Sequence, residues 1–378
     1  MKKGYTTGSC AAAATKAAAK AALSGNFDVY SNIMTPNGIE LSLEIVEKKL
    51  ELHQASCAIK KDSGDDPDVT NGALVYSKVS LIKEKIYGKY KLEKSTVDLG
   101  DGILLIGGIG IGHITKPGLA CSIGEPAINP MPRQMIKEVV LDEKNKWGYE
   151  GFVLVEISIP DGVFLGEKTF NPKLGIVGGI SVLGTTGIVE PMSEQALVDT
   201  IKVEMSVCKA TGSDLVVITP GNYGKDFLKS NTKVSESITV KCSNFIGDAF
   251  KFADEYGFRK VIFSGHLGKL VKVAGGVMNT HSKYGDGRMK IMAHHGKLCG
   301  ADDNCLEKIM DCVMVDEAIR IFKEANLKDK VMASLLNSIE NQVKIRIKDA
   351  EIGVIVFTNK YGILAKSGNV DRLLNEEN

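Results

Sequence analysis

The chain has 378 residues, and its 47 Lys and Arg against 46 Asp and Glu leave a formal net charge of +1. Hydrophobic residues make up 44% and charged residues 25%, which is ordinary for a globular chain that buries a core. This balance disfavours a generic nucleic-acid binder or a protein of membrane surfaces, and no apolar run approaches the roughly 18 residues of a membrane span. Eight scattered cysteines without an export signal predict reduced thiols in the cytoplasm.

The first half of the chain predicts a mixed α+β domain. An Ala-rich helix is expected over 9–23, ended by Gly25. Strict alternation over 39–45 predicts a half-buried antiparallel strand. A helix over 134–144 and an alternating strand over 152–159 follow.

In the second half, short and nearly all-apolar runs alternate with helical stretches, which predicts βαβ units and a sheet covered on both faces. The fold class is therefore an N-terminal α+β domain with a mostly antiparallel sheet, over 1–180, and a C-terminal α/β domain with a largely parallel sheet, over 181–378. The expected strands are 180–183, 215–219, 238–242, 261–264 and 354–357, and the expected helices are 194–210, 247–256, 306–324 and 329–345.

Three segments have the composition of anion-binding backbone. Residues 6–9, Thr-Thr-Gly-Ser, open a helix, which favours either phosphate or carboxylate binding or plain N-capping. Residues 219–224 follow a buried strand, where ligands of α/β sheets bind, although a simple strand–helix connection has the same pattern. Residues 107–112 contain GxGxG, but no helix follows, so a bulged strand is favoured over a nucleotide loop.

Two charged or polar clusters could carry chemistry. Residues 60–68 combine two lysines with four acids, which suits a Mg²⁺ or Ca²⁺ site or a solvated loop. Residues 279–288 combine hydroxyl, imidazole, carboxylate and guanidinium groups, which suits proton transfer or a hydrogen-bonded loop. No metal site is predicted at Cys299, Cys305 and Cys312, because their spacing matches no zinc or iron–sulfur pattern.

Taken together and in order, the motifs resemble the cobalt-precorrin-5B C1-methyltransferase (CbiD) family. The segments that carry the resemblance are 4–13, 61–72, 115–119, 124–133, 183–193, 220–224, 242–247 and 279–282. The resemblance implies an enzyme that moves a methyl group from S-adenosylmethionine, its co-substrate, to C1 of cobalt-precorrin-5B, giving cobalt-precorrin-6A in cobalamin biosynthesis. Cobalt enters only as part of the substrate.

The substrate implied by the resemblance is a large macrocycle with a rim of carboxylates, so it needs many anion-holding groups without a strong net charge. The expected partner is this small molecule, with no nucleic acid and no membrane. Homo-oligomerisation and hand-over from neighbouring pathway enzymes stay open. The candidate substrate-binding residues are Thr6, Thr7, Lys60, Lys61, Lys116, Arg133 and Asn244.

The second domain is expected to hold S-adenosylmethionine at the carboxyl ends of its strands, although the chain lacks a standard methyltransferase signature. Proton handling at the ring is assigned to Asp65, Asp66 and His281. The candidate cofactor-binding residues are Thr185, Thr186, Gly221, Asn222 and Gly224.

Two other functions compete with methyl transfer. One is a phosphoryl-transfer or nucleotide-binding enzyme in which Asp65, Asp66 and Asp68 hold Mg²⁺, and the absence of a Walker A motif or kinase signature counts against it. The other is a corrinoid carrier without catalysis.

Overall fold

The computed structural model describes residues 1–222, 224 and 234–376. It divides into two compact units, Met1–Ser193 and Glu194–Asn378. The boundary was expected after residue 180 but follows residue 193. The segment that follows residue 180 belongs to the first unit because it pairs with residues of that unit. Val182 bridges Ile128, and Ile188–Val189 forms a two-stranded ladder with Gly4–Tyr5.

The first unit is built around a six-stranded sheet of order β4-β5-β6-β10-β8-β7. Neighbouring strands run antiparallel except β8 and β10, which are parallel, so the predicted mostly antiparallel sheet is confirmed. The remaining strands form three two-stranded sheets, β1-β12, β2-β3 and β9-β11. The strands are β1 (Gly4–Tyr5), β2 (Tyr30–Met34), β3 (Glu40–Glu44), β4 (Val46–Glu51), β5 (Gln54–Lys60), β6 (Leu74–Ile82), β7 (Thr96–Gly100), β8 (Ile103–Gly107), β9 (His113–Ile114), β10 (Phe152–Ser158), β11 (Ile176–Val177) and β12 (Ile188–Val189).

The central helix of the first unit is the Ala-rich one. Its alanines allow it to lie close against β5, β6 and the third helix, and most of its length is buried. Gly25 ends it in the left-handed conformation, with φ 78°, as the sequence predicts. The helices are α1 (Thr7–Ser24), α2 (Glu84–Lys91), α3 (Pro130–Trp147), α4 (Gly162–Glu167) and α5 (Asn171–Leu174).

The second unit has a five-stranded sheet of order β14-β13-β15-β16-β17, parallel except for the last pair. The prediction of a largely parallel sheet is confirmed. Since β13 lies between β14 and β15, the direction of strand succession reverses between β13 and β15, and ligands of such sheets bind at the carboxyl ends of those strands. The strands are β13 (Leu215–Thr219), β14 (Thr239–Lys241), β15 (Lys260–His266), β16 (Glu351–Thr358) and β17 (Gly362–Lys366).

Two expectations for the second half are wrong. The expected helix over 306–324 is two helices, because the chain becomes extended at Met314, with φ −112° and ψ 139°. The apolar pattern continues across this break, since Cys312 and Val315 on either side of it are both buried. The expected strand over 180–183 makes only isolated bridges, within the first unit. The helices are α6 (Glu194–Ala210), α7 (Ile246–Glu255), α8 (Leu267–Ala274), α9 (Arg288–Leu298), α10 (Asp303–Met310), α11 (Val315–Glu324), α12 (Lys328–Lys344) and α13 (Val370–Asn375), with short 3₁₀ turns at Glu236–Ile238 and Ser282–Tyr284.

Each unit has its own hydrophobic core. In the first, α1 and the six-stranded sheet supply most of the buried side chains; in the second, the all-apolar strands lie between helices. Among the described residues, no helix is long and apolar enough to cross a bilayer.

Candidate functional site

The start of α1 contacts a distant part of the first unit, and we call residues 2–9, 61–71 and 183–192 the N-terminal junction. Thr6 caps the helix, its Oγ1 accepting from the Ser9 N–H at 3.1 Å. The Gly8 N–H donates to the Leu183 carbonyl at 2.8 Å, and Thr7 Oγ1 accepts from the Leu183 N–H at 2.9 Å. These donors of the helix start are therefore bonded within the chain, which favours the N-capping interpretation of this motif.

The acidic loop of the junction binds backbone and lysine from other segments. The Lys2 ammonium lies 2.6 Å from an oxygen of Asp62, and this bond holds the pKa of the Asp62 carboxyl below its ordinary value. Asp65 accepts from the Lys2 N–H at 2.6 Å, and Asp66 accepts from the Met192 N–H at 3.0 Å. The carboxylates thus tie the loop to residues 2 and 192, far apart in sequence.

Beneath this loop lies a buried cation. Lys61 donates to Ser63 Oγ at 2.6 Å and lies 3.2 Å from an oxygen of Asp68. Burial acts to raise the pKa of Asp68, but the bond from the Thr70 N–H and the charge of Lys61 outweigh it, and the pKa lies below its ordinary value. Lys60, by contrast, is exposed.

Two glycines make the close approach at the junction possible. A Cβ on Gly4 would lie 2.3 Å from the carbonyl carbon of Ser63, and one on Gly64 would lie 2.1 Å from the Lys2 carbonyl oxygen. Gly64 also has φ 63°, where side chains are strained. Within the described ranges, no three His, Cys, Asp or Glu side chains are placed to hold a metal ion together.

The two cations predicted beside Pro- and Gly-rich turns differ in their partners. Arg133 donates to the Ile128 carbonyl at 2.6 Å and to Glu125 at 2.7 Å, and its side chain is largely buried. These internal bonds favour a structural role for Arg133 over the predicted substrate contact. Lys116 donates to the Lys173 carbonyl at 3.1 Å, while its stem packs on Gly175.

In the second unit, polar side chains gather at the carboxyl ends of β13, β14 and β15. The Lys269 ammonium donates to the Pro220 carbonyl at 2.9 Å and the Ser243 carbonyl at 3.3 Å. Burial lowers the pKa of Lys269. The Lys241 ammonium bonds Asn222 Oδ1 at 3.1 Å. We call Asn222, Lys241, His266 and Lys269 the carboxyl-edge cluster.

His266 ends β15 and caps α8, with Nδ1 accepting from the Gly268 N–H at 3.0 Å. Burial lowers the pKa of its imidazole, which favours the neutral ring, and because Nδ1 accepts a hydrogen bond, the proton of that ring lies on Nε2. The ring lies edge-on to Phe357, 5.9 Å between centroids. Thr219 Oγ1 and Ser264 Oγ are buried nearby without a hydrogen-bond partner among the described residues.

Gly221 and Gly224, predicted to approach a ligand, differ in their surroundings. A Cβ on Gly224 would lie 1.7 Å from Thr219 Oγ1, whereas one on Gly221 would meet no atom of the described residues within 4 Å. Gly224 is therefore required for packing, and Gly221 is not crowded by the part of the chain that the structure describes. Tyr223, part of the same motif, lies outside the described residues.

The polar string after α8 forms a loop held from beneath by a second buried lysine. Lys272 donates to the Thr280 carbonyl at 3.3 Å and the Gly285 carbonyl at 3.1 Å. Thr280 Oγ1 also bonds Asn244 Oδ1 at 3.2 Å. His281 is exposed, and its Nδ1 accepts from the Lys283 N–H at 3.1 Å.

The predicted site residues fall into two sets. Asp65, Asp66, Thr185 and Thr186 belong to the first unit with the predicted substrate-binding residues other than Asn244, and Gly221, Asn222, Gly224, Asn244 and His281 belong to the second. Thr185 is exposed, and Thr186 Oγ1 donates to the Ile188 carbonyl at 2.9 Å. Sequence reasoning missed His266 and Lys269, although Ser-Gly-His at the end of an apolar strand is a detectable signal.

Comparison with known proteins covers nearly the whole chain. The family profile described as CbiD matches residues 1–191, and the profile described as the CbiD C-terminal domain matches residues 279–368. A protein named cobalt-precorrin-5B C(1)-methyltransferase from Ruminiclostridium cellulolyticum is 45% identical over 360 residues, covering 95% of this chain and 89% of the relative. The protein of the same name from Thermoanaerobacter sp. is 43% identical over 371 residues, covering 97% and 96%. A crystal structure titled cobalamin biosynthesis protein (cbiD) from Archaeoglobus fulgidus is 27% identical, with a TM-score of 0.39, and covers 75% of this chain and 82% of that one.

The fold and the polar groups define a protein of two units. One is an α+β unit, and the other is an α/β unit whose parallel strands end at an edge of the kind where open α/β sheets bind ligands. The family resemblance read from the motifs is confirmed: the chain belongs to the CbiD family.

Proposed function

We propose that this chain methylates C1 of cobalt-precorrin-5B, with S-adenosylmethionine as the methyl donor. The observation that carries the proposal is the similarity over nearly the whole chain to proteins named for this reaction, 45% and 43% identical in two cases. The name of a methyltransferase implies a methyl donor; S-adenosylmethionine as that donor is part of the proposal.

The carboxyl-edge cluster is the proposed place for the donor. The residues present fit its chemistry: Lys241 and Lys269 can bind a carboxylate, and the buried hydroxyls of Thr219 and Ser264 lack partners in the described structure, so they are free to bond a polar ligand. No described residue crowds Gly221, so its backbone can approach a ligand closely. Bound there, S-adenosylmethionine would supply an electrophilic methyl group on a sulfonium.

The chain's own residues would contribute binding, orientation and exclusion of water rather than covalent chemistry. Methyl transfer is a single displacement, and holding the two reactants in line supplies much of the acceleration. Burial lowers the pKa of His266 and so favours its neutral form. The ring then adds no further positive charge to an edge that already carries Lys241 and Lys269.

Asp65, Asp66 and His281 remain the proposed groups for proton handling. Asp65 and Asp66 each use one carboxylate oxygen on a backbone N–H. Changing each conservatively, Asp→Asn and His→Gln, and measuring single-turnover methylation together with binding tests the proposal. A general base should lose roughly 10²–10⁴ in rate with binding nearly intact. If all three variants keep a rate within a few-fold of wild type, catalysis is alignment alone.

One assay separates the proposed function from its two rivals. The purified protein is incubated without oxygen with the cobalt corrinoid and methyl-labelled S-adenosylmethionine, in parallel with labelled ATP and Mg²⁺. Label transferred from S-adenosylmethionine to the corrinoid supports the proposal. Corrinoid binding without transfer would indicate a carrier, and transfer from ATP would indicate a phosphotransferase.

A further inference from the structure

The Gly-rich segment 107–112, at the end of β8, packs against two later loops of the same unit. Residues 107–112 and 159–180, which we call the glycine platform, touch backbone to backbone. A Cβ on Gly110 would lie 1.7 Å from the Ile159 carbonyl oxygen, and one on Gly179 would lie 2.2 Å from the Gly110 carbonyl oxygen. Such contacts are possible only between glycines and bare backbone.

Hydrogen bonds fix the same segments to one another. The Ile159 N–H donates to the Ile109 carbonyl at 2.8 Å, and the Ile180 N–H donates to the Gly110 carbonyl at 3.0 Å. The buried amide of Asn171 reaches the Gly179 carbonyl at 3.4 Å. The loops therefore form a braced surface rather than independent, mobile connections.

This braced surface presents large apolar side chains to solvent. Five of them are between 51% and 69% exposed although the backbones beneath them are in contact. Exposed apolar side chains concentrated in a few short segments mark a binding surface more often than single scattered ones do. They are Ile109, Val163, Phe164, Phe170 and Val177.

Cations accompany the apolar side chains. The Lys168 ammonium lies 3.9 Å from the centroid of the Phe164 ring, and the Lys116 ammonium bonds a backbone carbonyl of the platform. Among the described residues, these two ammonium groups contact a ring and a carbonyl and no carboxylate, so both charges are available to an anion.

We propose that the glycine platform is the surface on which the corrinoid macrocycle lies, its apolar ring against Ile109, Phe164 and Phe170 and its rim carboxylates toward Lys116 and Lys168. The inference rests on the proposed function, which supplies a flat, apolar ring bordered by carboxylates. Apolar side chains beside the ammonium groups of Lys116 and Lys168 are complementary to that shape and charge. A rigid surface also loses little conformational entropy when a rigid ring binds.

The test compares a platform variant, F164S/F170S, with a matched control, L52S/L92S, whose two leucines are also exposed but lie elsewhere in the first unit. The readouts are the corrinoid KM in methyl transfer and the Kd for cobyrinic acid, a stable carboxylate-bearing cobalt corrinoid. We expect the platform variant to raise both by about tenfold or more, with S-adenosylhomocysteine affinity and melting temperature unchanged. The control should match wild type.

The outcomes separate this inference from the proposed function. If the wild-type protein methylates the corrinoid and the platform variant has an unchanged KM and Kd, corrinoid binding at the platform is wrong and the methyltransferase function stands. If the wild-type protein binds cobyrinic acid more tightly than the platform variant but transfers no methyl group, corrinoid binding at the platform stands and the methyltransferase function is wrong. If sedimentation shows a wild-type dimer that F164S/F170S dissociates without a change in corrinoid Kd, the surface is a self-association face and the inference is wrong. Wild type that neither binds nor methylates corrinoid overturns both.

Discussion

Lys61 and Asp68 form an ion pair in the first unit, with 3.2 Å between the ammonium nitrogen and a carboxylate oxygen; the lysine side chain is 1% exposed and the aspartate side chain 28%. The lysine was expected to hold substrate, yet its ammonium lies under the acidic loop and bonds Ser63 as well. The pair gives one of the four acids of the loop a structural role, because Asp68 neutralises the charge of a lysine that the fold has buried.

Asp68→Asn should lower the free energy of unfolding by about 1–3 kcal/mol, because the Lys61 ammonium would stay buried and face an amide donor in place of a carboxylate. Urea unfolding followed by the fluorescence of Trp147, the single tryptophan, measures the change. Glu51→Gln, which removes an exposed ion pair with Lys49, is the control and should leave stability within error. Equal effects of the two substitutions would contradict a special role for the buried pair.

Asp286 should make a pH-dependent contribution to the second unit. The Arg288 guanidinium lowers the pKa of its carboxyl to about 2. A carboxyl whose pKa is depressed by folding stabilises above its unfolded pKa of about 3.9 and loses that stabilisation as pH falls toward the folded value. Wild type should therefore exceed Asp286→Asn in stability at pH 5–7, by at most about 1 kcal/mol because the pair is exposed to solvent.

The difference should shrink between about pH 4 and pH 2. Circular dichroism during urea unfolding at several pH values measures it. A difference that stays constant down to pH 2, or grows, would mean that Asp286 is not the titrating group.

Substitutions at Arg133 and Lys116 should affect different quantities, the first the stability of the fold and the second the binding of substrate. Arg133→Ala removes the donors that serve Glu125 and the Ile128 carbonyl, so it should lower the free energy of unfolding by about 1–3 kcal/mol with little change in corrinoid KM. Lys116→Ala should raise that KM by about tenfold with little change in stability. Glu125→Gln is the matched control for Arg133 and should share its loss of stability. A large rise in KM for Arg133→Ala but not for Glu125→Gln would assign Arg133 to the substrate.

Gly110 and Gly178 allow the packing of the glycine platform to be measured. Both have positive φ, 78° and 83°, but only at Gly110 would a Cβ collide with backbone. Gly178→Ala should cost about 1–2 kcal/mol, the backbone strain alone, whereas Gly110→Ala should cost clearly more or prevent folding of the first unit. Equal losses in Trp147-detected unfolding would show that the loops can move apart.

Much of the fold could be predicted because local periodicity determined it. The Ala-rich helix, its Gly25 cap and the all-apolar strands of the second unit are found where the pattern indicates. The break near Met314 was not predictable, because the apolar period continues across it into a second helix. Local pattern records burial, not the backbone conformation at one residue.

The site was less predictable because its contacts join residues far apart in the chain. Lys2 meets Asp62, and Lys269 bonds carbonyls at 220 and 243. No spacing rule marks such pairs. The motif residues were correctly singled out as unusual, but Asp62, Asp68 and Arg133 use their charges within the chain, and composition cannot tell an internal partner from a ligand.

The most direct test of the proposed methyl transfer follows the methyl carbon itself. Wild-type protein, cobalt-precorrin-5B and S-adenosylmethionine carrying ¹³C in its methyl group are mixed without oxygen, and the product is examined by NMR. Methyl transfer to C1 predicts a single new ¹³C methyl resonance assigned to C1, formed together with S-adenosylhomocysteine and absent without protein. Label at another ring position, or no label in a corrinoid that the protein demonstrably binds, would contradict it.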